Sequence, residues 1–286
     1  MKLIKKLFWL VAGLTAILSI AGLIFERVEK KKRRDNGDKN PFEGKHVRFV
    51  EDESDPINAD GVCGHLEIVG VPTPAPAGFY ERVVKRLLDV VLSSAGLVVL
   101  SPVLAVISLM VWSDDPGPIL FTQKRIGINK SYFRLHKFRS MKMSTPHDVP
   151  THALSNPESY ITKVGRVLRK TSGDELLQLI NIWKGDMSVI GPRPALWNQD
   201  LLVSEREKVD ANSAKPGLTG LAQIKGRDEL EIVDKAELDG EYVRELRAGG
   251  IRAFIMDCKC FFGTIVSILH HDGIVEGGTG SIEKHS

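Results

Sequence analysis

Cysteine is scarce in this chain. Three thiols in 286 residues, Cys63, Cys258 and Cys260, exclude a disulfide framework. Cys258-x-Cys260 has no second Cys/His pair at zinc-ligand spacing, which argues against a structural zinc site. The thiols read as reduced and cytosolic. The eight histidines do not cluster at ligand spacing. Several active-site signatures are missing too: there is no G-x-x-x-x-G-K-[ST] or G-x-G-x-x-G loop, no D-x-D, no G-x-S-x-G and no H-E-x-x-H. Apolar runs are too few for a ten-helix transporter-like enzyme. The 43% hydrophobic and 26% charged content excludes a wholly disordered chain, and the length suits one to two domains of roughly 150 residues each.

The net charge of +3 is small but unevenly spread. Residues 35–80 hold nine acidic side chains against three Lys/Arg, a local net of −6. Residues 116–193 hold thirteen Lys/Arg against five acidic side chains, a local net of +8. Such a field attracts anions. It suits a solvated basic face, phosphorylated metabolites, lipid phosphate or nucleic acid. The aromatics there do not recur at stacking intervals, which argues against nucleic acid.

Residues 8–25 carry no charge. As a helix this run rises about 27 Å, close to the roughly 30 Å hydrocarbon core. Lys2, Lys5 and Lys6 precede it; Arg27, Lys30, Lys31, Lys32, Arg33 and Arg34 follow. The positive-inside bias places the C-terminal flank in the cytoplasm and residue 1 outside. A cleaved signal peptide is the rival reading; no small-x-small site precedes the basic run, so residues 1–34 are expected to be an uncleaved anchor. Residues 35–79 read as a linker or small appendage. A second apolar stretch, 87–112, is broken only by Asp89, and Ser101-Pro102 sits at its middle, where proline removes a helix hydrogen bond. Basic residues flank both ends: Arg82, Lys85 and Arg86 before, Lys124 and Arg125 after. This predicts a helix that enters the membrane, breaks at Ser101-Pro102 and leaves on the same side. An ordinary kinked spanning helix is the alternative.

Beyond it, residues 119–127 and 132–141 predict a hairpin, 161–169 and 174–184 amphipathic helices, and 187–190 a strand. Gly185 is the expected helix stop. Residues 251–269 predict a helix of the core or of the membrane surface.

The chemistry concentrates at Arg169-Lys170-Thr171-Ser172-Gly173-Asp174-Glu175. Ser172 and Glu175 have the spacing of a capping box, so Glu175 has a purely structural reading. Asp174 falls in the first helical turn, with Arg169 and Lys170 just upstream, and these are expected to hold it ionised. That suits a carboxylate attacking phosphorus beside a second carboxylate on a divalent metal. Gly191-Pro192-Arg193-Pro194 fixes the backbone around one arginine, which would meet a phosphate or merely pair with a surface acid.

These segments carry a resemblance. Lys85-Arg86-Leu87-Leu88-Asp89, the Ser101-Pro102 break, His136-Lys137-Phe138-Arg139-Ser140, the Asp174-Glu175 dyad, Lys184-Gly185-Asp186-Met187-Ser188, the Pro-Arg-Pro loop and Pro216-Gly217-Leu218-Thr219-Gly220 stand in one order. From about residue 80 to 280 the chain resembles the bacterial sugar transferase family, the monotopic polyprenyl-phosphate hexose-1-phosphate transferases. The resemblance implies a mixed α/β (α+β) membrane-associated catalytic domain over 80–286, with 87–112 as a re-entrant helix. It implies transfer of a sugar 1-phosphate from a UDP-sugar to undecaprenyl or another polyprenyl phosphate, releasing UMP, as the initiating step of glycan assembly. Asp174 matches the nucleophile and, with Glu175, the Mg2+ site. Lys137, Arg169, Arg193 and Asp239 match substrate-binding positions. The implied setting is the cytoplasmic face of the bacterial inner membrane, with downstream glycosyltransferases as partners. Gly173 departs from the family's usual Leu and is the support for an alternative, an inactive membrane scaffold. The end, residues 275–280, resembles one subgroup.

Overall fold

The computed structural model describes residues 2–33, 39–71, 76–145, 157–226 and 230–270. Arg34 and residues 275–280 lie outside these. Helix α1 (Lys2–Arg33) carries the uncharged run and continues into the basic flank. Strands β1 (His46–Glu51) and β2 (Gly64–Gly70) form an antiparallel hairpin, so the stretch expected to be a linker or small appendage holds a strand pair. A π-helical turn, Tyr80–Lys85, leads into α2 (Arg86–Asp114). Strands β3 (Leu120–Ile126) and β4 (Tyr132–Phe138) pair antiparallel, as the periodicity predicts. Asn129 and Lys130 take positive φ in the turn between them. There follow α3 (Pro157–Tyr160), α4 (Lys163–Lys170), a 3-10 turn (Gly173–Leu177), α5 (Gln178–Lys184) and β5 (Ser188–Ile190). Gly185 ends α5 at φ 90°, the expected left-handed stop. Then come α6 (Asp200–Lys208), β6 (Gly217–Thr219) parallel to β5, α7 (Leu221–Lys225), α8 (Ile232–Ala248) and α9 (Gly250–His270). Short strand pairs set among helices make a mixed α and β fold.

Among the described residues, two helical stretches are long and apolar enough to cross a membrane: Phe8–Val28 and Tyr80–Asp114. In α2 the helix runs on through Pro102. Proline has no N–H for the carbonyl four residues back, that of Val98. The Ser101 hydroxyl donates to that same carbonyl at 2.8 Å, so the serine repairs what the proline removes. Both ends of α2 pack on the protein: Arg86, Asp89 and Val90 are buried at the start and Val111 near the end. The middle is apolar and open, with Val99, Val103 and Val106 exposed.

Helix α1 docks on the last turn of α5. Trp183 Nε1 donates to the Leu18 carbonyl at 2.8 Å, and its ring lies against Phe25. Gly22 makes this approach possible, because a Cβ there would lie 2.8 Å from Trp183 Nε1. Glu26 accepts Arg86 Nε at 2.6 Å and Lys215 Nζ at 3.0 Å. Arg86 also donates to the Ile182 and Trp183 carbonyls. Helix α9 packs one face into the core, as the first of its two readings expects, and leaves the other face apolar and open. Ala253, Met256 and Cys260 are buried with Tyr242, Val243 and Leu246 of α8, while Ile251, Ile255, Phe262 and Val266 are exposed.

Candidate active site

Four segments bring the predicted residues together. Lys137 comes from the end of β4, Arg169 from the last turn of α4, Asp174 and Glu175 from the 3-10 turn, and Arg193 from the loop after β5. Lys137 Nζ lies 2.9 Å from Glu175 Oε1 and 3.7 Å from Asp174 Oδ2. Arg193 Nη2 donates to Glu175 Oε1 at 2.7 Å. Arg169 Nε donates to Ser140 Oγ at 3.0 Å. The spacing between strand and turn is set by Asn181 of α5, which is fully buried. Its amide donates to the Arg134 carbonyl at 2.7 Å and accepts the His136 N–H at 2.9 Å, so α5 is locked to β4. Behind the turn, Phe138 and Leu168 pack against Val111, with Leu104, Ile107 and Leu177 around them, so the dyad is seated on the second half of α2.

The capping box does not form. Ser172 is left-handed (φ 53°) and makes no side-chain cap bond; its carbonyl accepts the Glu175 N–H at 3.1 Å instead. An N-cap residue needs extended φ/ψ to aim its hydroxyl at the first turn. The Glu175 carboxylate goes to two cations. The predicted single helix 174–184 therefore begins as a tight 3-10 turn. Gly173 sits at ordinary φ, and a Cβ there would meet Leu168 Cδ2 at 3.1 Å.

The two carboxyls are driven in opposite directions. Burial pushes Asp174 up, with Lys137 opposing and Glu175 adding to the rise. The expectation that upstream cations dominate at Asp174 is thereby corrected: desolvation outweighs them. Burial also raises Glu175, but Arg193 and Lys137 together outweigh it and hold the group well below the usual carboxylate range.

The Pro-Arg-Pro loop is held by backbone interlock. Gly191 N–H donates to the Thr219 carbonyl and Gly217 N–H to the Pro192 carbonyl, both at 2.8 Å. A Cβ on Gly217 would lie 2.1 Å from Gly191 N, and one on Gly220 2.2 Å from Gly191 O, so the two glycine-bearing motifs fit only as glycines. Two arginines clamp the loop. Arg206 donates to the Arg193 carbonyl and Arg125 to the Pro194 carbonyl, each at 2.9 Å. Burial and the adjacent Arg193 push Arg125 down to about 9. Asp239 lies behind the loop, 1% exposed, with Oδ2 2.6 Å from Arg206 Nη2. Thus Lys137, Asp174, Glu175 and Arg193 share one contact network. Arg169 flanks it through Ser140, and Asp239 reaches it only through Arg206. Ser101 and Pro102 lie on exposed backbone of α2, away from this network. Sequence reasoning took Arg125 for a charge flanking the second apolar stretch, which its burial against the Pro194 carbonyl corrects, and it missed Asn181 and Arg206, which belong to no motif it used.

The donor set suits a hard cation shared with a substrate. Asp174 and Glu175 offer carboxylate oxygens but no closed cage, which fits Mg2+ bound jointly with phosphate oxygens.

Comparison with known proteins gives a consistent result. The family model described as bacterial sugar transferase matches residues 80–271. UDP-glucose:undecaprenyl-phosphate glucose-1-phosphate transferase of Escherichia coli (strain K12) is 40% identical over 190 residues, covering 63% of this chain and 41% of that protein. Undecaprenyl-phosphate galactose phosphotransferase of Salmonella typhimurium is 34% identical over 208 residues, covering 68% of this chain and 42% of that protein. Exopolysaccharide production protein PSS of Rhizobium leguminosarum bv. phaseoli is 34% identical over 198 residues, covering 66% of this chain and 96% of that protein. The aligned part thus spans about two fifths of the two named phosphotransferases and nearly all of the third relative.

Proposed function

The chain belongs to the bacterial sugar transferase family, and on that premise we propose that it transfers a sugar 1-phosphate from a UDP-sugar to a polyprenyl phosphate, releasing UMP. The observation that carries this reading is the opposed tuning of Asp174 and Glu175 within reach of Lys137 and Arg193. A carboxyl raised by burial is a stronger nucleophile once ionised. Asp174 attacks the phosphorus that bears the sugar. The bond from that phosphorus to the bridging oxygen breaks, and UMP leaves with the electron pair. The sugar phosphate is then held on Asp174 as a mixed anhydride. An oxygen of the polyprenyl phosphate attacks the same phosphorus, the Asp174 carboxylate is released, and a polyprenyl diphosphate sugar forms.

Arg193 meets the diphosphate, with its backbone fixed so that little freedom is lost on binding. Lys137 stays between the two carboxylates and balances charge as the phosphoryl group arrives. Arg169 supplies a further positive field beside Asp174. Glu175, with Asp174, would hold Mg2+, which when bound neutralises charge on the phosphate oxygens.

The membrane setting follows the same lines. Helix α2 is read as re-entrant: its two buried ends pack on one domain and its exposed apolar middle centres on Ser101-Pro102, whereas the flanking cations Lys85, Arg86 and Arg125 are spent on contacts within the protein and lend the reading no support. On this reading the site faces the cytoplasm, where UDP-sugars are found, and its products pass to downstream glycosyltransferases. The test is incubation of the purified chain with polyprenyl phosphate, Mg2+ and either UDP-glucose or UDP-galactose carrying a labelled sugar. Label should move to the lipid as UMP appears. Release of free labelled sugar phosphate would make it a hydrolase, and no reaction with a panel of UDP-sugars would favour the scaffold.

A further inference from the structure

The β1–β2 hairpin precedes the family match, yet it is bound to the element behind Arg193. Helix α6 has nine residues, too few to be stable without outside support. Its own N-cap residue, Gln199, makes no side-chain cap bond. The cap comes from the hairpin. Asp60 accepts the Leu202 N–H and the Gln199 amide, each at 3.2 Å, and the Ala59 N–H donates to the Asn198 carbonyl at 3.0 Å. One turn on, Ser204 Oγ accepts the Phe49 N–H at 2.9 Å. At the end of the helix, Glu207 accepts His46 Nδ1 at 2.7 Å, together with Lys130 Nζ at 2.6 Å. Val47 and Leu66 of the hairpin are buried against Leu202 and Val203. The hairpin therefore grips α6 along its length. Between the last two grips stands Arg206, bonded to Asp239 and to the Arg193 carbonyl.

We propose that residues 40–71 are a positioning element for the phosphate-binding arginine: the hairpin fixes α6, α6 carries Arg206, and Arg206 sets the backbone from which Arg193 reaches the donor. This rests on the reading of Arg193 given above. Asp60, Ser204 and Arg206 are positioning residues; none touches substrate. Charge-assisted contacts to phosphate are sensitive to placement, and a shift of about 1 Å at a positioned group costs up to about a hundredfold in favourable cases. One lost cap corresponds to about fivefold in an equilibrium.

The experiment measures affinity for UDP by titration calorimetry on the purified full chain in lipid nanodiscs with Mg2+, which needs no knowledge of the sugar. Asp60→Ala should weaken UDP binding about fivefold. Asp60→Asn, which keeps an acceptor for the Leu202 N–H, should recover most of that loss. With Arg193→Ala already in place, adding Asp60→Ala should change nothing further, because the two act through one contact. Should Asp60→Ala fail to fold, Ser204→Ala removes the acceptor for Phe49 and is expected to weaken UDP binding in the same way. Unchanged UDP affinity in the folded variant, or losses that multiply in the double variant, would overturn the brace while leaving Arg193 in its role. Wild-type affinity in Arg193→Ala would instead overturn the role of Arg193, and the brace with it.

Discussion

Arg193 and Glu175 face each other across the site, guanidinium to carboxylate at 2.7 Å. Lys137 sits on the same Glu175 oxygen. The incoming diphosphate must therefore win Arg193 from a partner inside the protein. Glu175→Gln removes that competitor together with one of the two carboxylates proposed to hold Mg2+. The variant should bind UDP without Mg2+ at least as well as the wild type, and should lose most of the rate increase that Mg2+ gives. A wild-type response of the rate to Mg2+ concentration would return Glu175 to a structural role.

The opposed tuning makes a prediction about pH. On the proposed mechanism Asp174 attacks only when deprotonated, and its carboxyl is raised. In the metal-free site Asp174 should therefore take up its proton at a higher pH than an exposed aspartate does, and Mg2+ on the same carboxylate should move the acid limb of the rate downward. Lys137 is the strongest force pulling Asp174 down, so Lys137→Met should move this acid limb to higher pH. Glu175 works in the other direction. Its depressed carboxyl contributes stability that is present above the unfolded glutamate value and is lost as pH falls through the folded one. A pH–rate profile of Lys137→Met that overlays the wild type would disprove the coupling to Asp174.

The anchor helix is more than a tether. Glu26 and Arg86 are both largely buried, at 13% and 9% side-chain exposure. Removing one member of such a pair strands the other, at a cost of about 3 kcal/mol. Glu26→Ala should lower the unfolding midpoint of the detergent-solubilised chain by several degrees. Lys215→Ala, at the more exposed edge of the same contact, should cost less. Equal midpoints for Glu26→Ala and wild type would show that α1 is only loosely applied.

Topology has its own test. Phe79 and Met143 lie on either side of α2, at 72% and 45% exposure. Single cysteines there, in a chain lacking Cys63, Cys258 and Cys260, should both resist a membrane-impermeant thiol reagent in intact cells. Both should react once the cells are opened. Labelling of position 143 alone in intact cells would mean that α2 spans.

Local motifs made much of this site legible. Asp174, Glu175 and Arg193 stand in short segments whose chemistry can be argued from neighbours, and the β3–β4 hairpin and the Gly185 stop follow from periodicity and backbone freedom. What was illegible lies far apart in sequence. Arg125 meets Pro194 across 69 residues, Arg86 meets Glu26 across 60, and Asn181 meets Arg134 across 47. No spacing rule links such pairs. The capping box misled because spacing says nothing of φ, and Ser172 is left-handed. The β1–β2 hairpin was hidden by the acidic residues in and around it, which signal a linker in composition; Glu51 and Glu67 lie on its exposed side, while Asp60 of the connecting loop turns in to α6.

The central claim is that Asp174 carries the sugar phosphate between donor and acceptor. It is tested most directly by mass spectrometry of peptides from the chain after a brief, quenched incubation with UDP-sugar and Mg2+ but no polyprenyl phosphate. The predicted result is a sugar-phosphate adduct on the peptide containing Asp174, removed by hydroxylamine, discharged on adding polyprenyl phosphate, and absent from Asp174→Asn, which should also show no turnover. Turnover in Asp174→Asn at the wild-type rate, or an adduct on another residue that discharges to the lipid, would contradict it.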